Sequence, residues 1–270
     1  MIKTSVIGLG AMGAGIAGNL HRAGLLAGAW NRTPERGLSA AEHHGFDLSA
    51  TLAGAVQDAE LVITSVSADD DLIEVTGQLA EVLQAGTIVL DTSTVSMGTA
   101  QRVHEMLKGH GIHFLDGPVS GGREGAEKGT MVMMIGGDAA ILAKAQPALE
   151  AISSKVRHMG PTGNGQATKA VNQIMAAGIN QAVTEALAFG QRAGLNMADV
   201  IDVVGGGAAG NWFLSHRGQS MCDQQFAPGF RVALHHKDLG ICKQMLADQG
   251  VQLPVVEMTL VHYERLIAAG

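Results

Sequence analysis

The chain has 270 residues, of which 46% are hydrophobic, 3% aromatic and 16% charged, with a formal net charge of −7. This length and apolar content exclude a largely disordered chain and allow one or two folded domains. An acidic balance without a basic tract excludes the electrostatic surface of a nucleic-acid-binding protein. No apolar run reaches the length of a membrane span, so no membrane partner is expected.

The amino end and the cysteines predict a cytoplasmic protein. The first residues, M-I-K-T-S-V-I-G, lead into a strand-like run without the features of a signal peptide. Cys222 and Cys242 form no C-x-x-C motif, and reduced thiols are expected. The histidines are scattered, and the adjacent pair His43-His44 points in two directions on a helix or strand. We therefore predict no metal site.

Short β-rich runs alternate with helix-length segments through the first part of the chain. A helix is predicted from Met12 to Ala23, directly after the first run. This alternation predicts a doubly wound α/β sheet, mostly parallel, with helices on both faces. The predicted strands are Thr4 to Ile7, Leu26 to Trp30, Leu61 to Ser65, Thr87 to Leu90, His113 to Leu115 and Met131 to Ile135.

The second part of the chain has helical periodicity. A long helix is predicted from Gly165 to Ala193, with Gly194 as its stop. We place the domain boundary before this helix, which gives an α/β domain at residues 1–161 and an all-helical domain at 162–270. Shorter helices are predicted at Met197 to Val204, Leu214 to Cys222, His236 to Asp248 and Pro254 to Ala268.

A G-x-G-x-x-G motif lies between the first strand and the first helix, the context that a dinucleotide-binding loop requires. The motif predicts a tight turn, a close approach of the backbone to a pyrophosphate, and close packing of helix on strand. The pyrophosphate would lie at the positive end of the helix. The residues predicted to bind it are Gly8, Leu9, Gly10, Ala11, Met12 and Gly13.

The end of the second strand predicts the cofactor. An NAD site expects a carboxylate there, whereas this chain has Asn31, Arg32 and Thr33. A guanidinium with small donors suits the 2′-phosphate of NADP. We predict NADP, with NAD as the alternative in which Arg32 is a solvated turn residue. Nicotinamide-side contacts are predicted at the turns after the third and fourth strands, from Val66, Ser67 and Thr94. The acidic run at residues 69–71 is interpreted as a solvated loop.

A glycine-rich loop follows the fifth strand, at the carboxyl edge where doubly wound sheets bind ligands. Ser120, Gly121 and Gly122 offer one hydroxyl and consecutive backbone N–H groups, which can bind a substrate carboxylate. The alternative interpretation is an ordinary glycine turn.

A single lysine, Lys169, stands in an otherwise uncharged stretch, G-N-G-Q-A-T-K-A-V-N-Q at residues 163–173. In a closed apolar cleft a lysine loses hydration, its pKa falls toward the working pH, and it can exchange a proton with a carbonyl oxygen. The residues alone leave open that it extends to the surface from a helix start. Asn172 and Gln173 follow at helical spacing and can orient a substrate.

Four motifs in order give the chain a family resemblance. They are G-L-G-A-M-G at 8–13, D-G-P-V-S-G-G at 116–122, the Lys169 stretch, and H-K-D-L at 236–239. Together they resemble the β-hydroxyacid dehydrogenase family, relatives of 6-phosphogluconate dehydrogenase. The resemblance spans nearly the whole chain. It implies an N-terminal Rossmann domain, an all-helical C-terminal domain joined by a long helix, and a small hydroxyacid or semialdehyde substrate.

The resemblance also implies residue roles. It makes Lys169 the catalytic general acid and base. Asn172 and Gln173 would bind the substrate, and Lys237 would reach the cofactor with support from Asp238. From the residues alone, Lys237 and Asp238 are equally a solvated pair.

The sequence leaves more than one substrate and more than one class of function open. A-V-N-Q and L-H-H-K-D-L resemble tartronate semialdehyde (2-hydroxy-3-oxopropionate) reductases, which we take first. W-N-R-T at 30–33 instead resembles glyoxylate and succinic semialdehyde reductases, and 3-hydroxyisobutyrate dehydrogenase is a further alternative. An imine reductase is disfavoured because such relatives generally lack the lysine. The alternative from another class is a non-catalytic NADP-binding module. Apolar stripes on the C-terminal helices predict a homo-oligomer, a dimer or tetramer.

Overall fold

The computed structural model describes residues 2–226, 229–247 and 250–270. Its internal contacts divide the chain into two compact units, Met1–Lys169 and Ala170–Gly270. The predicted domain boundary after residue 161 stays a prediction. Among the described residues, no helix combines the length and the apolar character needed to cross a lipid bilayer.

The first unit is built on one mixed sheet. Its strands are β1 (Thr4–Ile7), β2 (Leu26–Trp30), β3 (Leu61–Thr64), β4 (Ile88–Asp91), β5 (His113–Asp116), β6 (Val119–Ser120), β7 (Met131–Gly136) and β8 (Ser153–Gly160). The strand order is β2-β1-β3-β4-β5-β7-β6, with β8 paired to β7. Pairing is parallel from β2 through β5 and between β7 and β8, and β7 is antiparallel to β5 and β6.

Helices cover this sheet, and the predicted α/β class is confirmed. The strand order reverses at β1, which has β2 on one side and β3 on the other, so a crevice opens at the carboxyl ends of these strands. The helices of this unit are α1 (Gly13–Arg22), α2 (Pro34–His44), α3 (Leu52–Val56), α4 (Asp69–Val82), α5 (Met97–Gly109), α6 (Gly122–Lys128) and α7 (Ala139–Ile152).

The central strands are apolar along their whole length because both faces are covered. Successive residues point to opposite faces. Val6 and Ile63 belong to one buried cluster, and their neighbours Ile7 and Val62 belong to the other. Continuous burial of this kind is what a parallel sheet between two helix layers requires.

The second unit is helical. The long helix α8 (Asn164–Arg192) begins in the first unit and continues into the second, and Gly194 follows it with φ +75° as predicted. Its buried face carries Ala177, Val183 and Leu187. The remaining helices are α9 (Met197–Gly205), α10 (Trp212–Cys222), α11 (Val232–Ala247) and α12 (Pro254–Ala269).

Several predicted boundaries are corrected. Helix α10 begins two residues before the predicted Leu214, because the Asn211 Oδ1 accepts a hydrogen bond from the Leu214 N–H at 3.0 Å and caps the helix. Helix α11 begins at Val232 rather than His236, and its predicted end, Asp248, lies outside the described residues. Strands β6 and β8 were not predicted, since β6 has two residues and β8 is a mostly exposed edge strand without an apolar pattern.

Candidate active site

The glycine motif forms the turn between β1 and α1. Gly8 has φ +93°, and a Cβ there would collide with the Ser65 carbonyl oxygen. A Cβ on Gly13 would collide with the Gly8 carbonyl oxygen, whereas a Cβ on Gly10 would meet nothing within 4 Å. The first and third glycines are therefore needed for packing, and the second faces open space in which a ligand can approach the backbone.

The crevice beside this turn brings together most of the predicted cofactor residues. The Asn31 Oδ1 accepts a hydrogen bond from the Leu9 N–H at 2.8 Å, and its Nδ2 donates to the Thr33 carbonyl oxygen at 2.7 Å. Asn31 thus ties the end of β2 to the glycine turn through backbone atoms. The predicted residues that line the crevice are Gly8, Leu9, Gly10, Asn31, Arg32, Thr33, Val66 and Ser67.

Arg32 lies at the rim of the crevice, and its side chain is 66% exposed. Its Nη1 is 2.9 Å from the Asp71 Oδ1 and 3.2 Å from the Glu74 Oε2. The acidic run that we interpreted as a loop is instead the first turn of α4, where the helix dipole stabilises carboxylates. A second arginine, Arg36, also lines the crevice and was not identified from the sequence.

Lys169 lies in the second turn of α8 and is 7% exposed. Its Nζ donates a hydrogen bond to the Val119 carbonyl oxygen at 2.9 Å. The next residues are the predicted carboxylate-binding group: Ser120 ends β6, Gly121 has φ +128°, and Gly122 has φ +60° and begins α6. The structure therefore brings the lysine amine next to the start of this loop.

Asn172 and Gln173 lie in the second unit, in a chain of side-chain bonds. The Asn172 Nδ2 donates to the Gln173 Oε1 at 2.8 Å, and the Gln173 Nε2 donates to the Asp238 Oδ2 at 2.7 Å. The Lys237 Nζ lies 3.1 Å from the Asp238 Oδ1. Gln173 and Asp238 are 4% and 3% exposed, so the carboxylate of the Lys237–Asp238 pair is shielded from solvent, whereas the Lys237 side chain is 30% exposed.

Two buried carboxyls at the carboxyl edge of the sheet were not identified from the sequence. The Asp91 Oδ1 accepts hydrogen bonds from the Thr64 hydroxyl at 2.8 Å and the Ser93 hydroxyl at 2.7 Å. Within the described ranges, the Asp91 Oδ2 has no hydrogen-bond partner. Burial raises the pKa of both Asp91 and Asp116 from 3.8 to about 6. These carboxyls therefore hold their protons more tightly in the folded chain than in the unfolded one.

This shift predicts how stability depends on pH. A carboxyl with a raised folded-state pKa supports the folded state most below about pH 4, and this support is lost as the pH rises to about 6. For fully buried Asp91 the loss is about 3 kcal/mol, roughly half of it between pH 5 and pH 8. We expect Asp91→Asn to gain stability relative to the wild type over that pH interval, in denaturant unfolding without cofactor. The exposed control Asp47→Asn should show no such trend, and a pH-independent difference for Asp91→Asn would contradict the assignment.

A possible cation ligand set lies away from these residues. In the part of the chain that the structure describes, His43, His44 and Glu127 place ligand atoms within 4.8 Å of one another. The Arg123 Nε also lies 3.8 Å from the Glu127 Oε1, which brings a positive charge to the same carboxylate. None of these residues belongs to the predicted site, and the expectation of no metal stays a prediction.

Comparison with known proteins agrees with this geometry over both parts of the chain. A model of the NAD-binding domain of 6-phosphogluconate dehydrogenase matches residues 3–160. A model described as the NAD-binding region of NADP-dependent 3-hydroxyisobutyrate dehydrogenase matches residues 163–270. The chain belongs to the β-hydroxyacid dehydrogenase family. It is an NAD(P)-dependent dehydrogenase that acts on a hydroxyl group of a small molecule.

Individual relatives of this β-hydroxyacid dehydrogenase are named for dehydrogenases of small hydroxyacids. A probable 3-hydroxyisobutyrate dehydrogenase from Mycobacterium bovis is 33% identical over 94% of this chain and 89% of the relative. An NAD-dependent L-serine dehydrogenase from Pseudomonas aeruginosa is 32% identical over 100% of this chain and 94% of the relative. The solved structure of Mycobacterium tuberculosis 3-hydroxyisobutyrate dehydrogenase with L-serine is 32% identical, has a TM-score of 0.90, and covers 99% of this chain and 94% of its own.

A nicotinamide dinucleotide fits the residues of this dehydrogenase. The open space at Gly10 admits a pyrophosphate, and the α1 amino terminus favours its negative charge.

Proposed function

We propose that this dehydrogenase transfers hydride between NADP(H) and a short acid with a 3-hydroxy or semialdehyde group, with Lys169 as general acid and base. The observation that carries the proposal is the buried amine of Lys169, held 2.9 Å from the Val119 carbonyl oxygen beside Ser120. A lysine side chain that is only 7% exposed is unusual outside a functional site.

In this proposal each site residue has a separate role in the reaction. The bound nicotinamide supplies hydride in reduction and accepts it in oxidation. Lys169 gives a proton to the carbonyl oxygen of the semialdehyde, or takes one from the hydroxyl in reverse. The Ser120 hydroxyl and the N–H groups of Gly121 and Gly122 hold the substrate carboxylate. Asn172, oriented through Gln173, contributes an amide to the substrate.

The preference for NADP rests on the crevice beside β2. Arg32 and Arg36 offer two guanidinium groups there, and no carboxylate follows directly on β2. A 2′-phosphate would share Arg32 with Asp71 and Glu74, which now pair with it. Because Asp71 and Glu74 compete with a 2′-phosphate for Arg32, NAD is the alternative cofactor. The Pseudomonas relative is named as NAD-dependent.

The preferred substrate depends on the group at carbon 2. Tartronate semialdehyde carries a hydroxyl there, L-serine an ammonium and 3-hydroxyisobutyrate a methyl group, while all three share the carboxylate and the reacting carbon 3. Asn172 is half-buried, and its amide has hydrogen-bonding groups beyond the one N–H that it gives to Gln173, so it favours a hydroxyl over a methyl group at carbon 2. We therefore place tartronate semialdehyde first.

A substrate panel with both cofactors tests the proposal. The panel contains tartronate semialdehyde, glyoxylate and succinic semialdehyde, each assayed with NADPH and NADH, and 3-hydroxyisobutyrate and L-serine, each assayed with NADP⁺ and NAD⁺. We expect the highest kcat/KM for tartronate semialdehyde with NADPH. A higher kcat/KM for another member would change the assigned substrate but not the proposed hydride transfer with Lys169 as general acid and base. Cofactor binding without turnover on any member would overturn the proposal in favour of a non-catalytic NADP-binding module.

The exposed apolar side chains of the second unit support a homo-oligomer. Val171, Met175 and Phe189 on α8 are 58%, 60% and 73% exposed, and Met258 and Val261 on α12 are more than two-fifths exposed. Apolar side chains grouped on neighbouring helices are typical of subunit contacts. We propose a dimer or tetramer, and light scattering at several protein concentrations distinguishes these from a monomer.

A further inference from the structure

The amino end of α8 is held by a carboxylate from a distant part of the chain. Asp116, the last residue of β5, is fully buried. Its Oδ1 accepts a hydrogen bond from the Gly163 N–H at 2.8 Å, and its Oδ2 accepts one from the Gln166 N–H at 3.0 Å. The N–H groups at a helix N-terminus usually donate to a side chain that is adjacent in sequence. Because Asp116 belongs to the sheet, these bonds fix the helix start against the sheet.

The first turn of α8 is also fixed on a second side. The side chain of Gln166 is 1% exposed, and its Nε2 donates to the Ser93 carbonyl oxygen at 2.9 Å. Its Oε1 accepts a hydrogen bond from the Val95 N–H at 3.2 Å. Gly165 lies next to Gln166 and close to Asp116, where the helix is pressed against the sheet. A Cβ on Gly165 would collide with backbone oxygens of the sheet.

Lys169 follows Gln166 by three residues, about one helical turn. A rotation or slide of the helix start would therefore move the lysine amine relative to Val119 and Ser120. We infer that Asp116 and Gln166 are positioning residues, whose buried side chains hold the first turn of α8 so that the Lys169 amine stays where the substrate oxygen binds. This inference rests on the proposed role of Lys169.

The chain offers a matched control for the capping bond itself. The Asp138 Oδ1 accepts hydrogen bonds from the N–H groups of Ala140 and Ile141 at the start of α7, at 2.7 and 3.4 Å. Asp138 and Asp116 thus make the same kind of bond, but α7 carries no residue of the proposed site. Asp138→Ala removes this cap, so it should lower the melting temperature and leave kcat unchanged.

A double-mutant cycle with Lys169→Ala tests the inference. Asp116→Asn places an amide N–H₂ against a backbone N–H in either orientation, and Gln166→Glu places a carboxylate against the Ser93 carbonyl oxygen. We expect each to lower kcat by roughly 10- to 100-fold, the effect of misplacing a reacting group by about 1 Å. The NADPH Kd should change by less than about 3-fold. In the Lys169→Ala background the same substitutions should lower kcat by less than about 3-fold, since they act through the absent amine.

Equal losses of kcat with and without Lys169 would overturn the inference, as would unchanged kcat in the otherwise wild-type chain. If Asp116→Asn does not fold, Gln166→Glu decides the question alone. The proposed function fails in a different way, through near-normal turnover of the single variant Lys169→Ala.

Discussion

Replacing Lys169 by alanine should lower kcat by roughly 10²–10⁴-fold, the usual size of a general acid–base contribution. The amine is nearly buried and is oriented by the Val119 carbonyl oxygen, so the variant loses a proton donor that is already in place. The NADPH Kd should remain close to that of the wild type, because the glycine turn at residues 8–13 is unchanged. Steady-state kinetics with the best substrate of the panel, together with a fluorescence titration of NADPH, measure the two effects.

Two further variants separate the amine from the volume of the side chain. Lys169→Met keeps most of the stem and removes the charge, so it should be as slow as the alanine variant. Lys128→Ala removes an exposed lysine that pairs with Glu124 at 2.8 Å, and it should leave kcat unchanged. Near-normal turnover of both Lys169 variants would refute the assignment of Lys169.

Arg32→Glu should raise the KM for NADPH by about 10²-fold and the KM for NADH by only a few-fold. A guanidinium–phosphate bond contributes about 1.5–3 kcal/mol, which corresponds to roughly 10- to 150-fold in binding. The new carboxylate would also join Asp71 and Glu74, and three acids would repel a 2′-phosphate. NADH lacks this phosphate, so it is affected far less.

The matched control changes the same charge away from the crevice. Arg157 lies on the exposed edge strand β8. Arg157→Glu should change neither the KM for NADPH nor the KM for NADH by more than about 2-fold at moderate salt. Equal increases of the KM values for NADPH and NADH in Arg32→Glu would mean that Arg32 does not bind the 2′-phosphate.

The sequence predicts those parts of the fold that local chemistry determines. The six predicted strands lie within one residue of β1 to β5 and β7, because buried parallel strands are continuous apolar runs. The glycine turn was predicted from its position between strand and helix, and the structure gives Gly8 and Gly13 packing contacts that a Cβ would disrupt. The long helix was predicted from its periodicity and from Gly194.

The contacts that orient the site join residues far apart in sequence, and no local pattern reveals them. Asp116 lies 47 residues before Gly163, and Gln173 lies 65 residues before Asp238. The pairing of Arg32 with Asp71 likewise needs α4 to lie beside the end of β2. The raised pKa of Asp91 follows from complete burial, which a sequence does not report.

A crystal structure of the ternary complex tests the central claim most directly, with NADP⁺ and the best hydroxyacid of the panel bound. The account predicts the Lys169 Nζ within about 3 Å of the substrate hydroxyl oxygen, with the substrate carboxylate on Ser120, Gly121 and Gly122. A Lys169 amine directed into solvent and away from the substrate would contradict it.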